Sequence, residues 1–386
     1  MGTVAFLSTY PPRECGLATF TCNLVKSFNR LNIQQRARVI AVSDSSYQYG
    51  TEVCLELEQH NPAGYPQTAA RINALKPELL VIQHEYGIFG GESGEYLLSL
   101  LENLQIPLVT TVHTVLPNPS DKQRFILKQL GEKSSKVITM AANTIPLLTE
   151  VYEIPADKIA VIHHGVPVMA VEAREVLKEK HGLKDRQVVT TFGLLSPGKG
   201  IEHAISAIAR VVKKHSDVIY LILGQTHPCV KRREGETYRE KLLGLVAELG
   251  IAEHVRFVDK YLTEEEIINY LQMSDIYLTP YTGPNQAVSG TLAYAVGYGR
   301  VVISTPFSYA REMLAGGRGL LAEFNNPSSL ADRINFVLEH PDKKAEMEQK
   351  TSQLGKTMTW PSVAGQYARL FRDILNHRYN REAMVV

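Results

Sequence analysis

At 386 residues the chain is longer than one hydrophobic core ordinarily organises, so two domains are expected, each with its own apolar centre. Its 41 basic and 40 acidic residues leave a net charge of +1, which gives no global field to gather nucleic acid or an anionic membrane; any anion must be bound locally. Cys15, Cys22, Cys54 and Cys229 are too few and too irregular for a disulfide framework, and no CxxC pair suggests structural zinc, so a reducing, cytoplasmic setting is expected.

The apolar opening Val4-Ala5-Phe6-Leu7 has no basic flank and runs straight into Ser8-Thr9-Tyr10-Pro11-Pro12. It is too short for a signal peptide or an integral membrane segment and reads as a buried first strand. Short apolar runs then recur between amphipathic stretches: Thr3 to Thr9, Arg38 to Ser43, Leu79 to Gln83, Leu108 to His113, Val137 to Met140 and Ile159 to His163. That rhythm predicts an α/β domain whose parallel strands are covered on both faces by crossover helices. Gly and Pro punctuate His164-Gly165-Val166-Pro167, and no helical period crosses Val168 to Glu172, which places a boundary near residue 168.

The rhythm restarts at Val188 to Phe192 and continues through Val218 to Leu223, Val255 to Val258, Ile276 to Pro280, Val301 to Ser304 and Leu320 to Ala322. A last amphipathic helix is expected from Trp360 to about Asn376, with Val363, Tyr367, Leu370, Phe371 and Leu375 at helical spacing. The predicted architecture is two doubly wound parallel-sheet, Rossmann-like domains facing a cleft. Residues 1–168 with a C-terminal helix at about 360–386 form one, and 169–359 the other.

In such sheets ligands bind outside the carboxyl ends of the strands, so the loops there carry the candidate chemistry. After the first strand, Cys15-Gly16 opens a helix, and Gly16 either admits a phosphate or sugar to the helix N-terminus or serves only a tight turn. Gln83-His84-Glu85-Tyr86 and Thr111-Val112-His113-Thr114 put imidazoles at two strand ends, a sugar-binding pattern; no helical HxxxH spacing or carboxylate cluster points to a metal. Gly193 to Gly200 brings Lys199 to a helix N-terminus without the GKS/GKT of a P-loop. His227 precedes the basic run Lys231-Arg232-Arg233, an acceptor or phosphate contact or a solvated surface. Finally, Ser289-Gly290-Thr291 combines a helix cap with N–H and hydroxyl donors for phosphate, and Gln286 can bond sugar hydroxyls.

Three segments in one order, Ser8 to Gly16, Phe192 to Glu202 and Ser289 to Gly297, give the chain its resemblance to the GT4 family of retaining glycosyltransferases of GT-B fold, closest in look to a mannosyltransferase-like branch. The resemblance implies an acceptor-side N-terminal domain, a donor-binding C-terminal domain, a final helix crossing back onto the first domain, and no metal or other cofactor. By it, Gly16 lies near the donor phosphates, His113 contacts the donor sugar and Lys199 holds the phosphates. Three positions depart from the family pattern: Leu194 stands in place of an arginine, and Gln286 and Tyr294 in place of paired glutamates, the second of which commonly binds the nucleotide ribose.

The expected activity is retaining, metal-independent transfer of a hexose, mannose favoured through GDP-mannose, to a saccharide or glycan acceptor. His113, Lys199 and Gln286 are the candidate catalytic residues, Gly16, Lys199, Ser289, Gly290, Thr291 and Tyr294 the donor contacts, and His84, Glu85 and His227 the sugar or acceptor contacts. Two alternatives stay open: a phosphorylase-like enzyme using sugar 1-phosphate and inorganic phosphate, and a non-catalytic sugar- or nucleotide-binding protein.

Overall fold

A computed structural model of the chain describes residues 2–383. They fall into two compact units, one running up to residue 167 and resuming from 358, the other 168–357. The first holds β1 (Thr3–Ser8), β2 (Arg36–Ser43), β3 (Val53–Glu58), β4 (Leu79–His84), β5 (Leu108–Val112), β6 (Lys136–Thr139) and β7 (Ile159–Val161). The second holds β8 (Gln187–Phe192), β9 (Val218–Leu223), β10 (Val255–Val258), β11 (Ile276–Thr279), β12 (Val301–Ser304) and β13 (Gly319–Leu321).

Neighbouring strands pair in parallel throughout, in the orders β3-β2-β1-β4-β5-β6-β7 and β10-β9-β8-β11-β12-β13. Each sheet therefore reverses its direction of winding once, between β1 and β4 and between β8 and β11. At those points two adjacent strands send their loops apart and leave room for a ligand.

The central strands are buried on both faces, which is why they read as unbroken apolar runs: β4 and β9 have no exposed residue. β3 is different. Its sequence, Val-Cys-Leu-Glu-Leu-Glu, alternates buried leucines with exposed glutamates, as an edge strand covered on one face does. It is absent from the continuous apolar runs because its only sequence signal is a period of two.

The final helix, Trp360–Ala383, packs in the first unit and runs longer than its apolar stripe suggests. Phe371 meets Phe6 and Phe28 with ring centroids 6.3 and 5.9 Å apart, and the Tyr367 hydroxyl lies 3.1 Å from Thr111 Oγ1. Among the described residues no helix is long and apolar enough to cross a membrane.

Candidate active site

In the second unit the chain after β8 and the chain after β11 are drawn together. The Thr282 N–H donates to the Gly198 carbonyl at 3.2 Å. Gly200, at φ 62°, sits so close to β11 that a Cβ would meet the Pro280 carbonyl oxygen at 2.0 Å, so only glycine permits this approach. The contact brings Lys199 over Tyr281. Its Nζ lies 2.8 Å from the Tyr281 hydroxyl and 4.2 Å from the ring centroid. Those are its side-chain partners; no carboxylate pairs with it among the described residues.

The helix Gly290–Gly297 begins at the same place. Ser289 caps it, its Oγ accepting from the Leu292 N–H at 3.3 Å. The first-turn N–H groups of Gly290 and Thr291 have no acceptor within a helix, and the helix dipole gives this end positive character. The Tyr281 hydroxyl stands 2.8 Å from Thr291 Oγ1 and 3.4 Å from Ser289 Oγ, and those two hydroxyls are 3.2 Å apart. Lys199 and Ser289-Gly290-Thr291 thus form one cluster, joined by Tyr281, to which the strand-end loop assigns no role of its own. A tyrosine ending a buried strand looks like core, and only its partners distinguish it.

Burial pushes the Tyr281 phenol up, but the Lys199 ammonium and the Ser289 and Thr291 hydroxyls outweigh that and hold it below its ordinary range. A half-buried cation with no carboxylate partner among the described residues, beside a helix N-terminus and two hydroxyls, makes a candidate anion site whose donors suit a phosphate.

The other expected donor contacts lie apart in role. Tyr294 is one turn further along this helix, its hydroxyl donating to Glu264 Oε1 at 2.6 Å and its ring 6.2 Å from Phe192. Gln286 is exposed, with its amide donating to the Val288 carbonyl at 3.0 Å. His227 caps the short helix Pro228–Glu234, its Nδ1 accepting from the Cys229 N–H at 3.2 Å, which gives it a local structural task.

In the first unit, Gly16 is the first residue of the helix Gly16–Asn29, after a Cys15 cap whose sulfur accepts from the Ala18 N–H. A Cβ at Gly16 would meet nothing within 4 Å, and its φ is not left-handed. The fold therefore does not demand glycine here. His113 follows β5; its Nε2 donates to Gln83 Oε1 at 2.8 Å, leaving Nδ1 as the acceptor. Burial, with the neighbouring imidazoles of His164 and His84, lowers its pKa well below the ordinary value, so the ring is neutral. Glu85 accepts from the Thr114 hydroxyl and the Tyr86 N–H, while burial raises its pKa.

His84 departs from the sequence reading. It is wholly buried at the end of β4, packed edge-on against Tyr86 at 4.9 Å and stacked with Phe89 at 6.2 Å. Among the described residues neither ring nitrogen has a hydrogen-bond partner, and burial lowers its pKa to about 3. Its ring is a core group rather than a surface that a saccharide can touch.

Two Rossmann-like parallel sheets, each with one reversal of strand order, give the chain the GT-B architecture. The chain belongs to the GT4-type glycosyltransferases: residues 16–169 match the family model Glycosyltransferase Family 4, and residues 173–354 match Glycosyl transferases group 1. It is 23% identical over 315 residues to the D-inositol 3-phosphate glycosyltransferase of Corynebacterium glutamicum (strain R), across 76% of this chain and 72% of that protein. Over 182 residues, 46% of this chain and 45% of the relative, it is 27% identical to the GDP-mannose-dependent alpha-(1-6)-phosphatidylinositol monomannoside mannosyltransferase of Mycolicibacterium smegmatis. The crystal structure of Anabaena HepE in complex with UDP and glucose shares the fold, with a TM-score of 0.75 at 17% identity, covering 97% of this chain and all of that one (100%).

Proposed function

We propose that the protein is a retaining glycosyltransferase that moves a hexose, mannose by preference, from a nucleotide sugar to a saccharide or glycan acceptor on the cytoplasmic side. The observation that carries this reading is the Lys199 ammonium, which has no carboxylate partner among the described residues and stands beside the N-terminus of the helix opened by Ser289-Gly290-Thr291.

Glycosyl transfer builds positive charge on the sugar and negative charge on the departing phosphate. In this reading Lys199 and the N–H groups of Gly290 and Thr291 stabilise the departing phosphate, and the leaving phosphate assists the acceptor hydroxyl on the same face of the sugar, so configuration is retained without an enzyme nucleophile. His113, neutral and with Nδ1 free to accept, orients a sugar hydroxyl. Gly16 leaves the first turn of its helix open to the donor. Gln286 is assigned to sugar hydroxyls and Tyr294 to the nucleotide end of the donor. The preference for mannose rests on the resemblance of the motifs and on the GDP-mannose-dependent relative.

A calorimetric panel of GDP-mannose, UDP-glucose, GDP, UDP, mannose 1-phosphate and inorganic phosphate tests the reading. Saturable binding of GDP-mannose above the rest is expected. Binding of only inorganic phosphate or sugar phosphate would replace it with phosphorolysis, and nucleotide-sugar binding without turnover would make the chain a binding protein.

A further inference from the structure

The anion site contains a residue that neither the motifs nor the family match singles out. Tyr281 is 2% exposed, its ring is stacked on Phe307 with centroids 5.0 Å apart and planes at 18°, and its carbonyl accepts from the Thr305 hydroxyl at 2.6 Å. The phenol oxygen is therefore fixed in space by the core beneath it, whereas Lys199 is a flexible side chain on a loop.

Hydrogen-bond direction follows from chemistry. An ammonium only donates, so the 2.8 Å contact runs from Lys199 Nζ to the Tyr281 oxygen. The Tyr281 hydroxyl also lies 2.8 Å from Thr291 Oγ1 and 3.4 Å from Ser289 Oγ, and those two are 3.2 Å apart, so the ammonium and three hydroxyls share one network. The ammonium keeps two further N–H bonds to offer a ligand. Each link polarises the next.

We propose that Tyr281 is the positioning residue that aims the Lys199 ammonium at the donor phosphate. The proposal rests on the reading that this site holds that phosphate. Without the phenol oxygen, Lys199 keeps only the ring face at 4.2 Å, which does not aim its N–H bonds, and the freed side chain must give up rotamer entropy each time it meets the phosphate. The departing phosphate carries more charge in the transition state than in the bound donor, so a mis-aimed ammonium lowers turnover more than ground-state binding.

The test is a double-mutant cycle of Tyr281→Phe and Lys199→Ala in the full chain. GDP and UDP binding are measured by calorimetry, and turnover with GDP-mannose and UDP-glucose. Tyr281→Phe keeps the ring on Phe307, and its thermal melt is compared with wild type. Its kcat is expected to fall roughly 10- to 100-fold, with KM changed less than about threefold. Lys199→Ala is expected to lose both kcat and nucleoside-diphosphate affinity, and the double variant to be no worse than Lys199→Ala. Thr291→Val, which cuts the next link, should shift kcat in the same direction by a smaller factor. Wild-type kcat in Tyr281→Phe beside a damaged Lys199→Ala, or losses that simply multiply in the double variant, would overturn the proposal and leave the phosphate site standing. Wild-type GDP and UDP affinity in Lys199→Ala would instead overturn the phosphate reading itself.

Discussion

Single residues separate what the fold requires from what a ligand requires. Gly16 and Gly200 both lie at helix starts after strands, yet only Gly200 is demanded by the protein. Gly200→Ala should destabilise by more than 1 kcal/mol, since it combines a left-handed backbone with a carbonyl at 2.0 Å, and a chemical melt would register it. Gly16→Ala should leave the melt unchanged or slightly improved while lowering donor turnover; unaltered turnover would remove Gly16 from the site. His84 offers a pH test. Its folded-state pKa of about 3 lies below the unfolded 6.5, so the unfolded chain binds the extra proton and stability falls as pH drops through 6.5 toward 3. Replacing it with Phe should flatten the stability profile in that window. The cluster of the candidate donor site was partly legible at this scale, because glycines, a lysine and hydroxyls after strands mark where an anion could be held. Tyr281 was not, because nothing in a strand-end tyrosine tells which side its hydroxyl faces, and neither was the burial of His84.

Elements were legible where burial is symmetric. Strands covered on both faces are apolar throughout and stood out, while β3, covered on one, did not. Helix attachment was legible only as a stripe, since the sequence does not say what the stripe meets. At the amino end of the second sheet, Asp275 pairs with Lys178 at 2.9 Å, with side chains 3% and 4% exposed, and with Lys344 at 2.7 Å. Lys178 lies on the helix Arg174–Lys180, so this carboxylate ties that helix to β11. Burial alone would raise the Asp275 pKa, but Lys344, Lys178 and the Val188 N–H hold it below the usual value. Its stabilisation is therefore present above the unfolded pKa and lost as pH falls through the folded one. Asp275→Ala should cost about 3–5 kcal/mol by stranding buried cations, measured by denaturant melts. Phe371→Ala should cost a similar ~3–5 kcal/mol in the first unit, because it leaves a cavity between Phe6 and Phe28. A loss under about 1 kcal/mol would mean that the final helix contributes little to that unit.

At the scale of the whole molecule, two domains of like architecture were evident from a strand rhythm that restarts, and the structure gives each unit its own sheet with a reversal of strand order. What the rhythm does not contain is the identity of the sugar, because hydroxyl recognition depends on a few side-chain directions rather than on periodicity. Metal independence belongs to the proposal: a chelator should leave the rate within about twofold, since Lys199 and a helix N-terminus supply the charge that a cation would otherwise provide. Loss of activity restored by a divalent ion would move that role to a metal. The central claim, retaining transfer from a nucleotide sugar, is tested most directly by following GDP-mannose and a set of mono- and oligosaccharide acceptors by proton NMR in the presence of the protein. Consumption of the donor with release of GDP and a first-formed product of unchanged anomeric configuration is the predicted result. An inverted product, or a donor that binds and is never consumed, would contradict it.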